Sequence, residues 1–597
     1  MHKDLKEISI PMEIVSDKDK TVEYLMDKGQ KYEEVNEREA ALKSYEQALA
    51  ILEVNEMNET KIQLYIKIGD LYQICGEIDS GLKFFNLAYD FAVLENNVIF
   101  QIDALIRIAE GYSVKGELET SVKYGEKVNE LIKDIDYIQG ELELSIFWIK
   151  IHYIKNEFFK ARDLGNEAIK LCGGDYLIYK GRILNVLARL YSDITGVDEH
   201  LDLLKQALEC FEKANFKKGI LSVLNNIGVV YAEKLQDNEK ALEYFLRLVN
   251  ECEEAGIIDL GAAVSGNIGE NYYKSLRYEE AMKWYESALS KGKKSGNEYV
   301  VFYCYVFLSK INLILGNYKD AYYFFNLASE ELINYPDQGS MVAYYYKLAS
   351  SLWLEFGQVD IAKEYIKKAF SIPGNEELTI KWNVGLAYEF IKLKEAKNQR
   401  QIIDSLNGIT YILSKYKNVD LILDSVYGVA IELIGSGYMG IAFKFVDEYK
   451  HMTSTNEVVD VKYRYIEAMR GSDVDKIQNL KNVLPLSLIN NNRKIQFNIL
   501  NNMGEQYFAH GDFHNGLSSF YDACQCIKNI INDVPEEFRV QFVNFHKLLK
   551  PFNRFVETKE QIDRIKYNSF NKYETISNEE QLYDIFESEI FNMFSII

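Results

Sequence analysis

Proline is nearly missing from this chain, with 6 in 597 residues. Each interior proline costs a helix about 3 kcal/mol, so such scarcity permits long uninterrupted helices. Histidine is also rare, at 7, which leaves few groups for proton transfer near neutral pH. The seven cysteines are odd in number and scattered, which makes no disulfide framework. Cys75, Cys172, Cys210, Cys252 and Cys304 stand among apolar residues and are read as buried thiols of a reducing compartment. Positive charge is short as well: 68 Lys and Arg face 90 Asp and Glu, a net −22. That balance repels phosphate backbones and anionic lipid, excludes sequence-independent nucleic-acid binding, and accommodates a basic or amphipathic protein partner. No window approaches 18 consecutive apolar residues, so no membrane span is expected. The opening MHKDLKEISIPMEIVSDKDK has no signal-peptide core, and a cytoplasmic chain is expected. Phosphate loops, G-x-S-x-G, H-E-x-x-H and kinase signatures are all missing.

What is present in quantity is tyrosine (43) and phenylalanine (32), within a 48% hydrophobic composition. The length exceeds one ordinary core, so several domains or a repeat array must account for it. A repeat is evident. Gly29, Tyr32, Ala41, Tyr45 and Ala48 recur as Gly69, Tyr72, Gly81, Phe85 and Ala88, and again as Gly269, Tyr272, Ala281, Tyr285 and Ala288. Relative to the first glycine these positions are 0, +3, +12, +16 and +19. Weaker copies begin at 109, 188, 228, 309 and 350, a spacing of 40 or 41, or 79 across one blurred unit. The sixth unit is one residue longer in its turn, and the fifth carries an insertion around Asp193 to Leu201. Small residues at 0 and +12 let two antiparallel helices approach, and the +3 and +16 rings are expected to fill the space between adjacent pairs. Asn36, Gly76, Gly116, Asn156, Gly316 and Gly357 stand five residues before the +12 position, where a left-handed residue ends a helix. Each pair leaves a bare face, so the units must stack.

These residues resemble the tetratricopeptide repeat, in a long variety similar to that of kinesin light chains and many bacterial signalling proteins. The usual period is about 34 residues, and the proline that commonly closes a unit is missing here. The resemblance covers residues 20 to 370. It implies an all-α fold, a right-handed superhelical array of antiparallel helix pairs with about 11–12 units and an irregular middle.

The expected organisation is an N-terminal extension over 1–20, an array of about nine units over 21–372, and an irregular helical connector over 373–430. Degenerate and regular units follow over 431–530, the former marked by Ala430, Gly437, Ala442 and Tyr449. Residues 531–597 hold a capping helix, bent at Pro551, and an amphipathic C-terminal helix with a capping box at Ser577 and Glu580.

Two constellations invite a chemical reading. His510, Asp512, His514, Cys524 and Cys526 suggest zinc. Yet Gly504, Tyr507, Gly516, Phe520 and Ala523 fall on the repeat template, which puts the histidines at a turn and the cysteines on the second helix. Cysteines two apart on a helix point about 200° apart, so no metal and no cofactor are expected. LCGGDYLIYKG (171 to 181) is similar in its Gly-Gly-acid triplet to diguanylate cyclases, but no strand pattern surrounds it.

The stronger candidate is a row of asparagines just before the first position: Asn185, Asn225, Asn226, Asn267, Asn501 and Asn502. A carboxamide both donates to and accepts from a peptide unit, and the resemblance implies that such a row holds an extended peptide in the concave groove. The alternative is bonding to neighbouring turns. The function expected is therefore a non-catalytic protein-interaction scaffold or sensor with a protein or peptide partner, small molecules being disfavoured. The competing expectation is a regulatory segment of a larger bacterial signalling protein, whose kinase, cyclase or transcriptional output lies outside this chain.

Overall fold

A computed structural model describes residues 18–52, 59–194, 196–334, 339–372, 378–489 and 493–569. The extension up to residue 17, the amphipathic stretch 578–597 and its capping box lie outside them. Among the described residues every regular element is helical, in 28 α-helices with short 3-10 segments and one π-helical turn. They form two compact units, Met1–Ile268 and Gly269–Ile597.

The second helix pair, Glu59–Ile74 and Ile78–Leu94, shows why the template reads as it does. A Cβ on Gly69 would lie 2.5 Å from the ring of Phe85. Gly29 faces Tyr45, Gly228 faces Phe245 and Gly504 faces Phe520 at 2.4–2.6 Å in the same way. The +16 ring thus packs against the glycine of its own pair, and it also reaches the next pair as expected: Tyr285 stacks on Phe307 and Phe325 on Tyr345, with centroids 5.2 and 5.5 Å apart. At +12, a Cβ on Gly81 would meet the Gly69 carbonyl oxygen at 3.0 Å. Where serine replaces glycine there, Ser121 Oγ donates to the Ala109 carbonyl at 2.7 Å, so the contact becomes a hydrogen bond. The +3 tyrosines stack on rings at +15, Tyr72 on Phe84 and Tyr112 on Tyr124, both with centroids 5.5 Å apart.

The turns follow the expected chemistry. Asn36, Gly76, Gly116, Asn156, Gly316 and Gly357 all have positive φ. The next residue's N–H reaches back to the +3 carbonyl, as Glu77 does to Tyr72 and Glu117 to Tyr112 at 2.9 Å, closing the helix as a Schellman motif. The seventh turn departs: Leu276 holds the left-handed position at φ 58, where a non-glycine residue costs about 1–2 kcal/mol. Its side chain is buried in a core with Leu393, Ile402 and Leu406, which offsets that cost.

Within the second unit the later helices pack on the earlier repeats. Asn418 and Asn456 cap the helices Val419–Gly435 and Glu457–Arg470, and their amide nitrogens donate to the carbonyls of Lys274 and Ser275 at 3.4 and 2.9 Å. The stretch expected as an irregular connector contains a helix pair, Leu378–Glu395 with Gln399–Leu413. Gly385 faces Ile412 and Gly408 faces Glu389, an antiparallel contact whose glycines lie off the +12 spacing. The capping segment is not one helix bent at Pro551. It is a short helix Arg539–Phe545, a break with Lys547 at positive φ, and a helix Leu549–Ser569. Pro551 stands in the first turn of the latter, where no N–H is needed. Cys75, expected to be buried, is exposed, while Cys172, Cys210, Cys252 and Cys304 are buried. The helix Glu298–Leu315 is long and apolar enough to cross a membrane, but most of it is buried in the array.

Candidate functional site

In the first unit, the first helices of successive pairs line an elongated cavity of about 870 Å³. The same helices carry a series of bridges from one repeat to the next, of which the Glu110–Lys150 pair lines the cavity. Arg107 Nε donates to Asp70 at 3.0 Å, Tyr137 Oη to Asp103 at 2.9 Å, Lys150 Nζ to Glu110 at 2.8 Å, and Arg182 to Glu143 at 2.8 Å. Burial opposes charge on Arg107, but Asp70 and Asp103 outweigh it and raise its pKa. Burial likewise pushes against ionisation of Glu110, and Lys150 prevails, holding the carboxyl below its usual range. These charges are committed to holding repeats together.

The series ends in amides. Asn226 Nδ2 donates to Asn185 Oδ1 at 3.1 Å, so the structure brings these two together across a repeat boundary. One bond leaves the Asn185 amide nitrogen and the Asn226 oxygen with capacity for a further partner. Asn225 lines the same cavity half-buried, and its side chain makes no hydrogen bond to a described residue. Arg189 is exposed beside it, its guanidinium 5.7 Å from the Tyr153 ring centroid, with no carboxylate partner among the described residues.

The extra residue of the sixth unit shapes this wall. It is absorbed as a π-helical turn, Val230–Leu235, closed by Gln236 at φ 55. Such single turns commonly mark functional positions, and this one presents Val230, Glu233 and Lys234 to the cavity, next to Val229 at the end of the preceding helix. The remaining lining is apolar, including Val114, Phe147, Ile154 and Val186. The asparagine row gave no signal for these. Val114 and Ile154 were findable only as apolar residues recurring forty apart at a helix end.

The other candidate residues are placed differently. Asn267 lies on the helix Ile258–Lys274 and is not part of this lining. Asn501 and Asn502 belong to the second unit; Asn502 Nδ2 donates to Tyr465 Oη at 3.0 Å and to the Asn498 carbonyl at 2.7 Å. The Asn501 side-chain oxygen is buried without a partner. Among the histidine and cysteine cluster, His510 Nδ1 bonds the Gln506 carbonyl at 2.7 Å, and Asp512 caps the helix Phe513–Asp533. Cys524 is buried in a core with Phe520, Phe552 and Phe555. No group of three or more potential metal ligands converges among the described residues. Gly173, of the Gly-Gly-acid triplet, caps the helix Phe158–Cys172.

Residues 219–293 match the family model of the tetratricopeptide repeat. No curated protein matches the chain. Among solved structures, one similar chain is a signal transduction ATPase with numerous domains and a tetratricopeptide repeat sensor from Pyrococcus horikoshii. It is 16% identical over 60% of this chain and 53% of that one, with a TM-score of 0.40. A Rap protein complexed with competence and sporulation factor is 15% identical over 60% of this chain and 98% of that one, at 0.39. Aspartyl phosphate phosphatase F from Bacillus subtilis is 13% identical over 62% and 96%, at 0.36.

Proposed function

We propose that this tetratricopeptide-repeat protein is a non-catalytic scaffold or sensor that holds a peptide or protein segment in the groove of its first unit. One observation carries the reading. In a cavity of about 870 Å³ that the Glu110–Lys150 bridge also lines, Asn225 and Arg189 stand without such a bridge, beside the half-satisfied pair Asn185–Asn226. Half-buried amides that keep donor and acceptor capacity suit a peptide backbone, because each peptide unit supplies one of each. The apolar residues alongside would take side chains, and Arg189 a carboxylate.

The bridges along the same helices support a route by which binding is sensed. The bridges Asp70–Arg107, Glu110–Lys150 and Glu143–Arg182 each join one repeat to the next. A segment that inserts at Asn185–Asn226 competes for the next bond of that series, and so alters the contact between neighbouring repeats. In a quasi-one-dimensional stack such contacts set curvature.

The test is affinity capture from the native cell, followed by titration of the recovered partner segment onto purified chain. Replacing Asn185, Asn225 and Asn226 with alanine should weaken binding at least about tenfold, or about 1.4 kcal/mol, with an unchanged melting curve. Unchanged affinity in that triple variant would overturn the reading.

A further inference from the structure

The register that lines the first unit's cavity continues in the second unit with different chemistry. Arg189 stands at +1 of the fifth repeat and Asn225 at −3 of the sixth. The same positions of the eighth and ninth repeats are Lys310 and Lys347. They lie on the helices Glu298–Leu315 and Ser340–Glu355, which pack together. Neither lysine has a carboxylate within ion-pair distance among the described residues. That sets them apart within this unit, where Lys274, Lys394 and Lys462 hold Glu270, Glu432 and Asp424.

Lys347 Nζ donates to Asn383 Oδ1 at 3.2 Å, and an ammonium group has three such donors. Lys310 Nζ lies over the Tyr273 ring, 4.2 Å from its centroid, with the Phe307 and Tyr344 centroids at 5.3 and 5.9 Å. Ring faces attract a cation but do not cancel its charge. Tyr344 stands one turn before Lys347 on the same helix, so the shared ring brings Lys310 alongside that turn. The carboxylate that acts on Lys310 is Glu270, and it is already held by Lys274 at 3.0 Å and by Tyr303 Oη at 2.7 Å. Lys274 cancels that charge, and two positive charges remain. Burial pushes both ammonium groups below their usual range, and Lys310 adds to the push on Lys347. Neither residue is fully buried, so a small solute reaches them.

We propose that Lys310 and Lys347 form a binding site for a phosphate dianion, free or as a small monoester, in the groove of the second unit. A dianion supplies the two negative charges that the pair lacks, and its oxygens accept from both ammonium groups at once. A carboxylate would leave one cation uncompensated. The chain's net −22 opposes such a ligand only weakly, because at physiological salt charges more than about 8 Å away are screened. The proposal does not rest on the amide groove of the first unit, and its test separates the two.

The test is calorimetric titration of inorganic phosphate, and separately of phenyl phosphate, onto the full chain at pH 8. Saturable binding is expected, at least about tenfold weaker in K310M/K347M and unchanged in N225A/N226A. The lysine double variant should melt no lower than the parent in phosphate-free buffer, since it removes two charges that burial opposes. Binding should take up protons and weaken as pH rises from 8 to about 10, because the lysines lose their charge there while phosphate keeps its own. Tighter binding of phenyl phosphate would identify an ester as the ligand, and tighter binding of phosphate the free ion; either supports the site. Acetate at equal ionic strength should not compete. No saturation by about 10 mM of either probe overturns the proposal. Equal binding by K310M/K347M, competition by acetate, or an affinity level across that pH range does the same. Loss only in N225A/N226A would place the anion at the amide groove and overturn the second-unit site, leaving the groove reading intact.

Discussion

Replacing Gly228 with alanine should destabilise this protein in its natural form and stabilise it once Phe245 is removed. A Cβ on Gly228 would lie 2.5, 2.7 and 2.9 Å from three carbons of the Phe245 ring, and that ring is fully buried, so it has nowhere to retreat. Overpacking of this kind costs about 1–3 kcal/mol. Against it stands the gain from replacing a glycine inside a helix, about 1 kcal/mol. The net loss for G228A is therefore about 1 kcal/mol. F245A alone should cost about 3–5 kcal/mol, as large-to-small changes in a core do. In the F245A background the clash is gone and the helix term remains, so G228A should recover about 1 kcal/mol. The cycle thus predicts a coupling of about 2 kcal/mol, with a change of sign. Urea unfolding followed by circular dichroism gives the totals. An array opens in pieces, so hydrogen exchange in Lys217–Val229 and Asn238–Ala255 should locate the effect. If G228A costs the same in both backgrounds, the ring does not dictate the glycine and the packing account fails.

Other consequences are independent of this one. Lys310, beside Glu270 and Lys274 and facing the rings of Tyr273, Phe307 and Tyr344, is pushed by burial down to about 8 from an ordinary 10.5. Between pH 8 and 10.5 the unfolded chain holds a proton that the folded one has lost, so this group's contribution to stability rises with pH across that window. K310M should accordingly be more stable than the parent at pH 7, with the difference in melting temperature shrinking towards pH 10. N456A removes both a helix cap and the bond to the Ser275 carbonyl and should cost about 1–2 kcal/mol in urea unfolding. E355Q removes the carboxylate shared by Lys494 and His546. Because half of the Lys494 side chain is exposed, the loss should be about 1–2 kcal/mol, with faster hydrogen exchange over residues 536–546.

The repeat was legible because its cause is local. Gly69 and Phe85 are sixteen residues apart, and the left-handed turns at Gly76 and Gly116 lie within each pair, so residue type and spacing carry the information. The extra residue near Lys234 was visible as a length, although only the structure shows it as a π-helical turn at the cavity wall. Asn185 and Asn226 share a face because 41 residues is one repeat. What lies beyond a repeat left no such trace. The contacts of Asn456 with Ser275 and of His546 with Glu355 join residues 181 and 191 apart, and no periodicity encodes them. Leu276 in a position that suits glycine or asparagine was the local hint that something unusual covers that turn. The +16 rings do reach the next pair, as Phe325 does Tyr345, but their contact with the glycine of their own pair was not foreseen, because periodicity gives a position's face and not every neighbour that fills it.

The groove claim is tested most directly by placing a photoreactive residue at Val186, on the cavity lining, and another at exposed Lys123, then irradiating cells that express each full chain. The account predicts one defined protein adduct from position 186, none from 123, and loss of the adduct when Asn225 and Asn226 are also changed to alanine. Adducts indifferent to position, or unaffected by those two changes, would contradict it.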